Sequence, residues 1–315
     1  MITFGPIPSR RLGRSLGINN IPPKHCSYSC IYCQVGRTSH MEVKRRAFYE
    51  PAEILKDVGR KLEALKGKGE KVDYLTFVSD GEPTLDIHLG KHIELLKPLG
   101  VKTAVISNAS LIGQREVQDD LCKADLVSLK IDAVSEDIWR KINRPHKSLA
   151  LHGLLQGISD FSDIYKGALI TETMLIHGIN DKEEEIAKVA DFIEGIKCQK
   201  SYISIPTRPP AEKWVESARE DRINTAYQIF IEKNINTECL IGYEGNEFTF
   251  TGDIEENLLS IASVHPIREE AVGELLRKAQ ADWTSINKLI EEDKLVEIRY
   301  KDKNFYMRKL SNRKV

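Results

Sequence analysis

The chain has 315 residues, of which 41% are hydrophobic and 30% charged, an ordinary composition for a globular protein of one large domain or one plus a small one. No run of apolar residues approaches the roughly 18 that a membrane-spanning helix needs, so the sequence excludes such a helix. The formal net charge is only −1, but residues 1–47 carry +7, residues 48–264 carry −11 and residues 299–315 carry +6. This distribution favours an anionic partner, with solvated charged faces as the alternative. With six cysteines and no apolar signal segment at the N-terminus, we expect a reduced, cytoplasmic protein.

Three cysteines, Cys26, Cys30 and Cys33, have the spacing CxxxCxxC. A loop this short can place three thiolates around one face of a 4Fe-4S cluster and leave the fourth iron open to a second molecule. A structural zinc site is an alternative, but it prefers four ligands, and His25 or His40 would have to supply the fourth. A disulfide plus a spare thiol is disfavoured by the expected reducing compartment. The triad therefore predicts an iron–sulfur cluster.

The triad resembles the signature of the radical S-adenosylmethionine (radical SAM) superfamily. The resemblance implies that SAM binds the open iron through its amino group and carboxylate. It implies further that one electron from the reduced cluster breaks the C5′–S bond, giving a 5′-deoxyadenosyl radical that abstracts a hydrogen from the substrate. A reductant such as flavodoxin or ferredoxin would supply the electron. We therefore expect an enzyme of oxidoreductase or lyase type with two cofactors, a 4Fe-4S cluster and SAM.

Strands and helices alternate along most of the chain. The predicted strands cover residues 15–19, 72–78, 101–107, 126–132, 167–176 and 202–205, and the predicted helices cover 51–66, 88–99, 114–123, a segment around 138, 149–161, 182–196 and 219–233. Alternation of this kind predicts an α/β fold with a parallel sheet and right-handed crossovers. Six such strands match the open, partial (βα)6 barrel of the radical SAM fold, and we expect the active site at the C-terminal ends of the strands.

Polar residues follow several of the predicted strands. The run Ser79-Asp80-Gly81-Glu82-Pro83 resembles the Gly-Gly-Glu-Pro motif of the family, with an aspartate in place of the first glycine. The resemblance implies that Gly81 and Glu82 hold the methionyl end of SAM, whose ammonium group needs acceptors. The other candidates for SAM contact are Tyr32, through its backbone against the adenine, and, for the ribose, Ser107, Asn108 and Asp132.

Three basic residues are candidates for substrate contact or catalysis: Lys130, Arg144 and Arg208. Lys130 and Asp132 alternate with Ile131, so both side chains face one side of their strand, which we expect to be the barrel lumen. An ion pair with Asp132 or a neighbouring carboxylate is the structural alternative for Lys130.

The C-terminal part of the sequence has a different pattern. Two helices, His265–Ala279 and Ile286–Asp293, precede two alternating strands that turn at Asp302-Lys303, which predicts a winged-helix-like domain. We expect a radical SAM domain over residues 1–252, a linker over 253–264 and this small domain over 265–315. Its basic wing favours nucleic acid binding, but peptide recognition and structural packing remain open.

The N-terminal run from Phe4 to Asn19, the segment Ile142-Asn143-Arg144-Pro145-His146 and the segment Pro206-Thr207-Arg208-Pro209-Pro210 resemble the group of radical SAM proteins that contains the wyosine-forming tRNA enzymes. Those enzymes hold a second cluster on upstream cysteines, and no cysteine precedes Cys26 here. The resemblance implies a macromolecular substrate, either RNA, with a tRNA base as the example that the group offers, or a protein or peptide. The alternatives are a glycyl-radical activase, a peptide-modifying enzyme and a non-catalytic iron–sulfur regulator that binds DNA.

Overall fold

The computed structural model describes residues 2–242 and 253–309. The strands are β1 (Thr3–Ser9), β2 (Gly13–Ile18), β3 (His25–Cys26), β4 (His40–Met41), β5 (Tyr74–Phe77), β6 (Lys102–Ser107), β7 (Leu126–Lys130), β8 (Ala168–Met174), β9 (Lys200–Ser204), β10 (Thr237–Leu240), β11 (Ile267–Arg268), β12 (Leu295–Tyr300) and β13 (Lys303–Arg308). The helices are α1 (Pro51–Lys66), α2 (Leu89–Leu96), α3 (Arg115–Leu121), α4 (Glu136–Asn143), α5 (Leu151–Ile164), α6 (Glu183–Glu194), α7 (Glu220–Glu232), α8 (Ile254–Val264), α9 (Glu269–Lys278) and α10 (Thr284–Glu291). Within the described ranges no helix has the length and apolar character needed to cross a bilayer.

The main sheet has eight strands in the order β1-β2-β5-β6-β7-β8-β9-β10 and curls into a half-barrel. Strands β2 and β5 to β10 run parallel to one another, and β1 pairs antiparallel with β2. The predicted α/β class and partial barrel are confirmed, because β2 and β5 to β9 are the six strands expected from the sequence. Strands β1 and β10 extend the sheet at its two edges and were not predicted.

Helices on the outside of the sheet bury one apolar face each, and α1 shows why these residues form a helix. Pro51 occupies the first turn, and Glu50 and Glu53 form a reciprocal capping box at the helix start. Ile54 and Val58, four residues apart, are fully buried in the main core. The helix layer thereby covers the convex side of the sheet and leaves the strand ends open at the barrel mouth.

The segment predicted as a linker, residues 253–264, instead contains helix α8. Asp253 caps it by accepting a hydrogen bond from the backbone N–H of Glu256 at 2.8 Å. Leu258 and Ile261 are fully buried in a second core and carry the helical spacing that the sequence analysis overlooked. Because α8 also contacts β1, it joins the C-terminal elements to the barrel.

The C-terminal elements follow in the order α8, β11, α9, α10, β12 and β13, with a three-stranded sheet of order β11-β13-β12. The hairpin turns at Lys301 and Asp302, both of which have positive φ angles. The predicted boundary at residue 252 and the last residues of the predicted C-terminal domain, 310–315, lie outside the described residues.

Candidate active site

The cysteine triad lies on a loop that begins at β3 and forms backbone hydrogen bonds with the last turn of α4 and the residues that follow it. The backbone N–H of Ile31 donates to the carbonyl of Ile142 at 3.0 Å, and that of His146 donates to the carbonyl of Ser27 at 2.8 Å. A further bond from the N–H of Ser29 to the carbonyl of Asn143 at 3.1 Å completes this contact. The segment 142–146 that resembled a family motif therefore supports the backbone of the triad loop.

Gly81 lets the end of β5 approach the triad loop closely. A Cβ atom at this position would lie 1.7 Å from the carbonyl oxygen of His25, a distance that no side chain tolerates. The same carbonyl accepts a hydrogen bond from the N–H of Glu82 at 3.1 Å, and the N–H of Lys24 donates to the carbonyl of Asp80 at 2.8 Å. The glycine is thus required for backbone contact between the strand end and the residues just before Cys26.

The carboxylate of Glu82 is buried and satisfied by protein donors. Oε1 accepts from the backbone N–H of Thr84 at 3.0 Å, from its hydroxyl at 2.6 Å and from the hydroxyl of Ser107 at 2.8 Å. Oε2 accepts from the backbone N–H of Asn108 at 2.7 Å. Burial raises the pKa of Glu82, and these donors lower it in part. Glu82 and Ser107 therefore tie the ends of β5 and β6 together.

Asp132, after β7, is the centre of a second buried network. Its Oδ2 accepts from the hydroxyl of Tyr32 and from the side-chain amide of Asn143 at 2.7 Å, and its Oδ1 accepts from the backbone N–H of Met174 at 2.9 Å. Tyr32 is thereby fixed between two triad cysteines, Cys30 and Cys33. Both carboxylate oxygens of Asp132 are engaged within the protein, as are those of Glu82.

A cavity of about 240 Å³ lies at the C-terminal ends of strands β5 to β10. Its lining includes four of the residues predicted from the sequence: Tyr32, Cys33, Lys130 and Arg208. The charged residues around it are four cations and one carboxylate: Arg10, Arg11, Lys130, Arg208 and Glu172. The cavity has the position expected for a barrel active site, and its lining is strongly positive.

Glu172, on β8, forms the anionic part of this lining. It accepts hydrogen bonds from Lys130 at 2.6 Å and from the hydroxyl of Ser204 at 2.9 Å, and it is also paired with Arg11. Burial alone would raise the pKa of Glu172, but Arg11 and Lys130 outweigh it and lower the pKa to about 2. From the sequence, Glu172 falls in the fifth predicted strand, at the rim of the expected active site, but its cluster with Arg11 and Ser204 was not predicted; a carboxylate within a buried strand was the signal that pointed to it.

The two predicted arginines lie in different surroundings. Arg208 lines the cavity, where it donates to Gln34 at 3.3 Å and lies 3.1 Å from Nε2 of His265. Arg144 instead pairs with Glu212, which also binds Arg37 through two bonds of 2.9 Å. Arg144 is not part of the cavity lining, so its predicted contact with substrate stays a prediction without geometric support.

The family model described as the radical SAM superfamily matches residues 20–190, which include the triad, the Gly81 turn and the Asp132 network. The chain belongs to the radical SAM superfamily. A relative from Methanocaldococcus jannaschii, a UPF0026 protein, is 49% identical over 99% of this chain and 97% of its own length. The family recognised from the triad is thus confirmed, and within the superfamily the chain belongs to the UPF0026 family.

Two more distant comparisons involve proteins whose names refer to RNA or to a bound adduct. A probable dual-specificity RNA methyltransferase RlmN 2 from Protochlamydia amoebophila is 23% identical over 56% of this chain and 50% of its own length. A solved structure of TYW1 with a lysine–pyruvate adduct has a TM-score of 0.54 at 18% identity and covers 70% of this chain and 73% of its own. At that identity the second likeness shows the radical SAM fold alone.

Radical SAM proteins bind an iron–sulfur cluster and SAM, and the three cysteines here fit such a cluster. Burial, followed by the nearby Glu82 carboxylate, raises the pKa of Cys26 to about 12, and burial and Asp132 raise that of Cys30. Thiols of this kind become thiolates only when a cation replaces their protons. In residues 2–242 and 253–309 no three His, Cys, Asp or Glu side chains converge as ligands of a single ion do. In a 4Fe-4S cluster each thiolate binds a different iron, so the three sulfur atoms do not have to converge on one point.

Proposed function

We propose that the protein is a radical SAM enzyme that holds a 4Fe-4S cluster on Cys26, Cys30 and Cys33 and reductively cleaves SAM for hydrogen abstraction from a macromolecular substrate, with RNA as the favoured class. When bound, the cluster supplies the electron that cleaves SAM to a 5′-deoxyadenosyl radical. The observation that carries this proposal is the cavity at the strand ends, which Cys33 borders directly. An external reductant such as flavodoxin or ferredoxin supplies the electron to the cluster.

The roles of the predicted SAM residues follow from their contacts. Gly81 and Glu82 would hold the methionyl end of SAM through the backbone of their turn, since the Glu82 carboxylate is already satisfied by Thr84, Ser107 and the backbone of Asn108. Ser107, Asn108 and Asp132 hold the neighbouring strand ends and the triad loop through hydrogen bonds within the protein, and they would shape the place of the ribose in this way. Tyr32, fixed by Asp132, would present its backbone to the adenine.

The charge of the cavity supports an anionic substrate. Lys130 and Arg11 both pair with the Glu172 carboxylate, which offsets only part of their positive charge. Arg10 and Arg208 add to the positive charge that remains in the lining. The low pKa of Glu172 keeps this carboxylate ionised at neutral pH. RNA supplies phosphates that such a surface attracts, and the RlmN-like relative is by its name an RNA methyltransferase.

The C-terminal elements are the proposed delivery module. Their order of helix, strand, two helices and hairpin is that of a winged helix, which supports the prediction made from the sequence. The hairpin tip contacts the loop after β9: the Lys301 ammonium donates to the hydroxyl of Ser217 at 2.6 Å and to the carbonyl of Pro206 at 3.3 Å. A macromolecule bound on the wing would lie beside the barrel mouth.

The deciding experiment offers reduced, reconstituted protein two substrate pools, total tRNA and a cell-extract protein pool, and measures 5′-deoxyadenosine release. We expect tRNA to raise the release above the slow uncoupled rate. The control variant replaces Cys26, Cys30 and Cys33 with alanine and should lose the brown chromophore and all SAM cleavage. Stimulation by the protein pool alone would favour the peptide-modifying or activase alternative, and iron retained at cluster level in the control would contradict the cluster assignment.

A further inference from the structure

Two asparagine side chains direct N–H groups at sulfurs of the triad. Nδ2 of Asn143 lies 3.4 Å from Sγ of Cys30, and Nδ2 of Asn108 lies 3.6 Å from Sγ of Cys26. Both distances suit N–H···S hydrogen bonds. Among the described residues, no side-chain amide lies within hydrogen-bonding distance of the sulfur of Cys33, which borders the cavity.

The orientation of the Asn143 amide is fixed by its second partner. Nδ2 lies 2.7 Å from Oδ2 of Asp132, and a flipped amide would place two oxygen atoms at that distance. Asp132 is itself held by the hydroxyl of Tyr32 and the N–H of Met174. One hydrogen of the Asn143 amide therefore binds Asp132, and the other is directed at Cys30.

The Asn108 amide is fixed in the same way by different partners. Its Oδ1 accepts from the backbone N–H of Ser110 at 2.9 Å, and its Nδ2 donates to the hydroxyl of Ser27 at 3.0 Å. A flip would lose the bond from Ser110. The second hydrogen of the amide is then directed at Cys26.

We propose that Asn108 and Asn143 are positioning residues that donate hydrogen bonds to two of the three cluster thiolates and thereby raise the reduction potential of the cluster. A hydrogen bond to a thiolate draws electron density from sulfur and favours the reduced state, which carries the additional negative charge. The bonds leave the thiolate of Cys33 as the most electron-rich ligand, on the side where the cavity lies. This inference rests on the cluster of the proposed function and is independent of the substrate.

The test measures the midpoint potential of the cluster by EPR-monitored redox titration, without SAM or substrate. The variants are Asn143→Leu, Asn108→Leu and their combination. The matched control is Asn180→Leu, because Asn180 is buried and its amide donates to the carbonyls of Asp132 and Met174 and accepts from the N–H of Ile176, so all its hydrogen bonds go to backbone groups and none to a triad sulfur. We expect Asn143→Leu and Asn108→Leu each to shift the midpoint potential to more negative values, and the double variant to shift it by about the sum of the two single shifts. The control should leave the potential unchanged.

The proposal would be overturned if wild-type protein, Asn143→Leu and Asn108→Leu had equal potentials at full iron content. It would also be overturned if the Asn180→Leu control shifted the potential as much as these two variants do. If a variant loads no iron, wild-type protein labelled with ¹⁵N only at asparagine side-chain amides decides the matter. Its reduced cluster should show a nitrogen coupling in HYSCORE spectra, and a spectrum without that coupling would overturn the proposal. A wild-type protein that holds no 4Fe-4S cluster would instead contradict the proposed function before any variant is compared.

Discussion

Gly81 shows how a single missing side chain controls the site. A methyl group at this position would meet the carbonyl oxygen of His25 at 1.7 Å, so Gly81→Ala must separate the end of β5 from the triad loop. We expect iron incorporation to fall sharply and the free energy of unfolding to drop by about 1–3 kcal/mol, the usual cost of overpacking. Anaerobic reconstitution with iron analysis, together with urea unfolding, measures both effects.

The matched control for this substitution is Gly59→Ala in α1. No atom lies within 4 Å of a Cβ built at Gly59, and alanine is the better helix former, so the control should be neutral or slightly stabilising. Full iron content and unchanged stability in Gly81→Ala would show that neither iron incorporation nor stability needs the close backbone contact.

Glu172 makes the free energy of unfolding depend on pH, and the direction of this dependence follows from its pKa. The pKa of Glu172 is lowered to about 2 in the folded protein, whereas an unfolded glutamate titrates near about 4.3. Its stabilising contribution is therefore present above about pH 4.3 and is lost as the pH falls through about 2. We expect Glu172→Gln to be destabilising at pH 7 and the gap to wild type in unfolding free energy to narrow as the pH falls below about 4.3. A gap of constant size across that pH range would contradict the ion-pair explanation.

The sequence predicted individual site residues to different degrees. The triad and Gly81 were recognisable because cluster ligands and close backbone contacts demand particular residue types at fixed spacing. The pairing of Arg11 with Glu172 was not predicted, because it joins residues 161 positions apart, and only the folded sheet brings them together. The carboxylates of Glu82 and Asp132 were predicted to face SAM, yet in the structure both accept hydrogen bonds from protein donors. The spacing of residues in the sequence does not show which of these partners a carboxylate has.

At the scale of secondary structure, the regular αβ alternation was predictable and the edges of the sheet were not. The segment Thr3–Ser9 contains a glycine and two prolines, residues that ordinarily mark loops, yet it pairs antiparallel with β2 at the edge, where missing N–H donors cost least. The four residues of β10 carry too short a pattern for recognition. Helix α8 was overlooked although Asp253 is a recognisable cap before an apolar run.

The cap of α8 can be tested directly. Asp253→Ala removes the acceptor for the N–H of Glu256 and should lower the free energy of unfolding by about 1 kcal/mol. Asp253→Ser keeps a capping oxygen and should retain most of the stability. Urea unfolding of the full chain compares the two variants, and equal losses would mean that capping is not what Asp253 contributes.

At the scale of the whole molecule, the C-terminal unit and the barrel mouth share one loop. Pro206 accepts from Tyr300 and Lys301 of the hairpin, and Arg208 of the same loop contacts His265. Burial lowers the pKa of His265 well below its usual range, and the neighbouring Arg208 adds to this effect, so the imidazole is neutral at pH 7 and can accept from the guanidinium. Binding on the hairpin is thus connected to the cavity lining through a few direct contacts.

The exposed cations of the hairpin provide the test of RNA delivery. Arg299, whose side chain is 75% exposed, and Lys303 lie near the tip and make only surface ion pairs. We expect the double variant Arg299→Gln, Lys303→Gln to bind tRNA more weakly at low salt and with a salt dependence of log K that is shallower by about 1–2, because fewer counterions are released on binding. The control, Lys197→Gln, removes a similarly exposed cation from the loop after α6 and should leave both quantities unchanged. Equal affinity and slope in wild type and the hairpin variant would exclude this surface from RNA binding and leave the barrel mouth as the place where a nucleic acid is recognised.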